Sequence, residues 1–89
     1  MRRPTGAPTM PTVLRSGPYR VYFYSHDLIE PPHVHVDRGE LSAKFWLNPV
    51  SLSRNLGFKP KELRTIERLL VENEAALLGA WRRHMGGEA

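Results

Sequence analysis

Apolar and polar side chains alternate through Tyr19–Tyr24, His33–Asp37 and Leu41–Leu47, and a period of two is the mark of half-buried strands. Val13-Leu14-Arg15 is also strand-like, and the turn signal Ser16-Gly17-Pro18 joins it to Tyr19–Tyr24 as a hairpin. Ser25 to Pro32 reads as a loop, closed by Pro31-Pro32, which cannot supply ladder donors. Gly39, within Asp37-Arg38-Gly39-Glu40, sits where a tight turn uses positive φ, so His33–Asp37 and Leu41–Leu47 form the best-defined hairpin. Asn48-Pro49 interrupts the strand, and Val50-Ser51-Leu52-Ser53 adds a short edge strand before Asn55-Leu56-Gly57.

From Pro60, suited to a first helical position, and Glu62 in the first turn, the pattern becomes helical. Leu63, Ile66, Leu70, Leu77, Trp81 and His84 fall on one stripe, whereas Lys61, Arg64, Arg68, Glu72, Gly79 and Arg83 face away from it. A single long helix is expected, bent near Asn73 or divided there with Asn73 capping the second part. The predicted fold class is α+β, a small antiparallel sheet of about four strands packed on one long C-terminal helix.

Alternation sorts the sheet. Val21, Phe23, Val34, Val36, Ala43, Phe45 and Leu47 share the face that the helix covers. The other face carries Arg20, Tyr22, Tyr24, His33, His35, Asp37, Ser42, Lys44 and Trp46. Trp81 belongs to the core stripe and Trp46 to the polar sheet face, unless a bulge exchanges Trp46 with Phe45. Aromatics, histidines and cations together are unusual on a solvated face, and no second helix is available to cover them.

With 89 residues, of which 40% are hydrophobic, the chain has room for one core. Residues 10–86 are expected to form that domain, with residues 1–9 a disordered extension and residues 87–89 a disordered tail. Met10 is a candidate translation start, because Met10-Pro11-Thr12 leads directly into the first strand. The N-terminal prolines and threonines exclude a secretory signal, and charge interrupts every apolar stretch well short of the roughly 20 residues that a membrane helix requires. The absence of cysteine removes disulfides, thiolate metal sites and a thiol nucleophile, and a cytoplasmic location is expected. A net charge of +4 suits an acidic partner, nucleic acid included, and suits ordinary solubility equally well.

Three readings of the polar face follow. Rings beside cations can hold single-stranded RNA, and the same surface can dock a protein. His33 and His35, two apart on a strand, can act as acid and base around a phosphate, with Lys44 or Arg38 stabilising the developing charge. They can also chelate a metal if Glu30, Asp37 or His26 supplies a third donor, or they can be structural. The candidate catalytic set is His33, His35 and Lys44; the candidate RNA or partner contacts are Arg20, Tyr22, Tyr24, Arg38 and Trp46. Lys61, Arg64 and Arg68 form a basic helix line that reads more simply as solvated. No cofactor is expected.

Met10–Arg15, Pro31-Pro32-His33-Val34-His35-Val36, Ala43–Val50 and Ala80-Trp81, in this order, resemble the short bacterial family known as domain of unknown function 4160. The resemblance implies a cognate protein encoded nearby, a member of domain of unknown function 2442, in an arrangement like a toxin–antitoxin pair. On that footing the chain is expected to be the toxin-like member acting on RNA or translation, with a protein-binding antitoxin or adaptor as the alternative. A homo- or hetero-oligomer is compatible with either role. The resemblance supplies no catalytic residues, though it places both histidines and Lys44 inside its motifs.

Overall fold

The apolar half of each alternating segment becomes one side of an antiparallel meander, and two helices lie over it. The computed structural model describes residues 12–23 and 30–86. Five strands follow in chain order: β1 (Thr12–Ser16), β2 (Tyr19–Tyr22), β3 (His33–Arg38), β4 (Leu41–Leu47) and β5 (Val50–Leu56). Their order in the sheet is the same, so β1 and β5 are its edges. Two helices, α1 (Pro60–Glu72) and α2 (Glu74–Gly86), complete the fold. Among the described residues, no helix is long and apolar enough to cross a membrane. The tails, the proposed start at Met10, Tyr24 and His26 lie outside the described residues.

Turn chemistry sets the meander. Gly39 at φ +60 supplies the left-handed residue between β3 and β4. The register then runs without a slip from His33 opposite Trp46 to Arg38 opposite Leu41. Val21, Phe23, Val34, Val36, Phe45 and Leu47 are buried on the helix side with Ile66, Leu70, Leu77 and Trp81. Each large apolar side chain buried there stabilises the fold by about 1.5–3 kcal/mol, less the entropy of ordering it. Phe58, which the alternation did not assign, closes the core between β5 and α1.

The sheet and the helix region depart from the expected layout in two ways. The sheet has five strands where about four were expected, and the short edge strand expected over Val50–Ser53 is a full member of it, running seven residues to Leu56. Its register skips Ser53, since Lys44 faces Arg54 while Phe45 faces Leu52. This bulge puts Val50 and Leu52 on the helix side and Arg54 and Leu56 on the other. The turn expected around Asn55 falls later. Asn55 bonds both backbone groups of Phe58 through its side chain, and Gly57 turns the chain at φ +107.

The helix is also divided. At Asn73 the backbone leaves helical geometry (φ −114, ψ 13), and the side-chain amide donates 2.8 Å to the Leu69 carbonyl. A short amide competing for the carbonyls of the preceding turn explains the break. Asn73 therefore closes α1 through its side chain, while its own carbonyl accepts the first bond of α2 from Leu77 N. The core stripe survives, because Leu70, Leu77 and Trp81 remain buried across the break.

The seam between sheet and helix is polar at one point. Glu62 in the first turn of α1 receives Arg38 through both nitrogens of a fork, Nε at 2.5 Å and Nη2 at 2.9 Å, and Tyr19 Oη at 2.7 Å. The Arg38 and Tyr19 bonds hold the Glu62 carboxyl below the usual carboxylate range. Burial, followed by the bond to Glu62, pushes the Tyr19 phenol up. Helix α1 is thereby stapled to the β3–β4 turn.

Candidate functional site

Cross-strand register assembles the side of the sheet away from the helices into three rows. Arg20, Asp37, Ser42 and Leu56 form the first, Tyr22, His35, Lys44 and Arg54 the second, and His33, Trp46 and Ser51 the third. The expected neighbours of His35 are thus brought together on this face. The second row floors a hollow of about 330 Å³, lined also by Glu30, Ser42 and Leu56.

Each member of the second row is held by its neighbours. The Tyr22 and His35 rings stack at 5.5 Å, and Tyr22 Oη donates to both oxygens of Asp37 at 3.1 Å. Arg20 lies over the Tyr22 ring at 4.4 Å and donates from Nε to Thr12 Oγ1 at 2.7 Å. Lys44 Nζ reaches Glu30 Oε1 at 2.5 Å and sits 4.8 Å from the centre of the Trp46 ring. Arg54, at the exposed end of the row, has no ion-pair partner among the described residues. The hollow thus carries three basic side chains, His35, Lys44 and Arg54, against one acid, Glu30.

Trp46 lies on the expected face, half-buried against His33 and Lys44, and Phe45 keeps its place in the core. The bulge fell in β5, leaving the facing of β4 intact.

His33 and Tyr22 are less accessible than the alternation implied. His33 is 0% exposed, packed against Trp46, His35 and Trp81, with ring centres 5.7, 5.2 and 5.0 Å away. Its Nδ1 lies 2.9 Å from the Pro31 carbonyl, which can only accept, so Nδ1 carries the hydrogen. Alternation located the side of the strand but not the depth, because α2 brings Trp81 onto the first residue of β3. An imidazole enclosed in this way is not presented to a substrate, and the expected pair of open histidines reduces to His35. Tyr22 is 5% exposed, so its ring is not a free stacking surface.

Arg38 also lies away from the expected face. It follows Asp37 in β3 and so points to the helix side, where Glu62 engages its guanidinium. It does not join Lys44. The structure adds Arg54 and Leu56 to the face; their signal was the apolar and basic content of residues 54–56, masked by turn-like Asn55 and Gly57.

For a metal, Glu30 Oε1 lies 3.7 Å from His33 Nδ1, but that oxygen also meets Lys44 and that nitrogen also meets Pro31. Among the described residues, no group of three or more His, Cys, Asp or Glu could hold a metal ion.

The family model described as domain of unknown function (DUF4160) matches residues 19–82. The chain belongs to this family. The DUF4160 match takes in His33, His35, Lys44, Trp46 and Arg54, and with them every strand of the hollow. No curated protein and no solved structure matches the chain.

Proposed function

We propose that the protein is a non-enzymatic binding module of a small toxin–antitoxin-like pair, seating its cognate protein over the hollow on the open sheet face. One observation carries this reading. Around a hollow floored by His35 and Lys44, the outward residues are Arg54 and Leu56, the latter 59% exposed, whereas His33 and Tyr22 are enclosed. Nucleolytic acid–base chemistry by a histidine pair requires two accessible imidazoles, and base stacking requires accessible rings. A polar hollow beside an exposed leucine and an arginine is instead the composition of a protein interface.

The test is to purify the chain with the small protein encoded beside its gene and size the mixture at low and high salt. A complex that survives high salt supports the reading. Two species that never co-elute contradict it.

A toxin-like action on RNA or translation through the same face is the second reading, favoured by the alignment of His35, Lys44 and Arg54 in a chain of net charge +4. It predicts an RNA affinity that falls steeply with salt, since phosphate contacts release counterions, and RNA cleavage abolished in His35→Ala. Salt-insensitive or absent RNA binding removes it.

A further inference from the structure

Among the described residues, the edge strand β5 is exposed along almost its whole length. Every residue from Ser51 to Leu56 is exposed, with Leu52 at 44% and Leu56 at 59%. The opposite edge differs. Strand β1 spans five residues, and its Val13 and Leu14 pack partly against the core. A sheet edge offers a row of backbone donors and acceptors that a further strand can satisfy, and natural proteins usually blunt such edges. Here the edge carries one such device, the bulge at Ser53, yet still combines seven residues, two exposed leucines and a single charge, Arg54.

The charge selects the occupant. Arg54 stands at the rim of the hollow next to Leu56, with Lys44 and His35 behind it. Beyond β5, Lys59 and Lys61 are exposed at the start of α1. A carboxylate brought to this rim meets an arginine that no described acid engages, whereas a basic strand is repelled. A second copy of the chain is poorly suited, because β5 contains no acid to offer Arg54.

We propose that β5 is a strand-addition site for an extended, acidic segment of a partner protein. In that segment apolar side chains cover Leu52 on the helix side, and a carboxylate on the other side pairs with Arg54 at the mouth of the hollow. The mode is β-augmentation, in which main-chain bonds supply affinity and alternate side chains supply selection. The inference rests on the protein-binding reading above and specifies how the partner is held.

The probes are two synthetic peptides, one alternating valine with glutamate and one alternating valine with lysine, added to the full chain. Amide hydrogen exchange is followed residue by residue, with fluorescence anisotropy for affinity. The glutamate peptide is expected to slow exchange across residues 50–56 by at least about tenfold, and the lysine peptide to leave it unchanged. In Arg54→Glu the preference is expected to invert, each peptide changing affinity by about tenfold or more. Absence of protection in β5 with the glutamate peptide, equal binding of both peptides, or an Arg54→Glu variant with unaltered preference overturns the proposal. So does protection of the same amides by a single-stranded oligonucleotide. If the cognate protein binds while β5 amides stay unprotected, this inference fails and the protein-binding reading stands; if no cognate complex forms, the protein-binding reading fails whatever the peptides do.

Discussion

Replacing His33 by alanine separates a packing histidine from a chemical one. The imidazole is fully buried between Trp46 and Trp81, and its Nδ1 donates to the Pro31 carbonyl. Removing a buried ring costs up to about 3–5 kcal/mol for a phenylalanine. A smaller, polar ring loses less, and its bond to Pro31 contributes about 1 kcal/mol. Pro31 is exposed, so water can take over its carbonyl, and the expected total is about 2–3 kcal/mol. For a domain of this size, that lowers Tm by roughly 10–20 °C. His35→Ala is the comparison: it forfeits a stack on Tyr22 and is expected to cost about 0.5–1.5 kcal/mol. Urea unfolding followed by tryptophan fluorescence reads both, and Trp46 and Trp81 also report locally on the His33 site. If His33→Ala unfolds within about 0.5 kcal/mol of the wild type, or costs no more than His35→Ala, the placement of His33 in the core is wrong.

Other substitutions probe the frame around the face. Gly57→Ala is expected to destabilise by about 1–3 kcal/mol in the same unfolding assay, because φ is +107 and the added Cβ would lie 2.5 Å from Leu41 Cδ2. Glu62→Gln is expected to lower Tm at neutral pH. The folded carboxyl is held below its ordinary 4.5 by Arg38 and Tyr19, so its contribution is present above that value and fades as pH falls through the depressed one. A difference in Tm between wild type and variant that does not shrink in acid would contradict this linkage. Asn73→Ala is expected to leave the core stripe intact while extending helical protection across the junction, seen as slowed amide exchange at residues 72–76; unchanged exchange would deny the side chain its role in the break.

How far the sequence could be read depended on whether a signal was local. The faces of β3 and β4 were legible because alternation is strict there, and Trp46, Phe45 and Trp81 lie where the periods put them. The far half of β5 was not, since Ser53, Asn55 and Gly57 carry turn chemistry and a bulge at Ser53 breaks the period of two. With Val50 and Leu52 on one side and Arg54 and Leu56 on the other, the strand has no single apolar face to detect. The burial of His33 was illegible for another reason. It depends on α2 carrying Trp81 to the first residue of β3, a contact that spans 48 positions of the chain. The Arg38–Glu62 fork spans 24 positions and likewise leaves no trace in any local window. Asn73 was the intermediate case, a visible break signal whose outcome turned on which carbonyl its amide found.

The most direct test of a partner-binding sheet face is calorimetric titration of the full chain with the small protein encoded beside its gene, comparing wild type, Arg54→Glu and Arg68→Glu. Both arginines are exposed, one at the hollow and the other on the outer side of α1. The account predicts saturable binding that Arg54→Glu weakens at least about tenfold, a loss of about 1.4 kcal/mol, and that Arg68→Glu leaves unchanged. Equal affinity for all three, or a loss confined to Arg68→Glu, would contradict it.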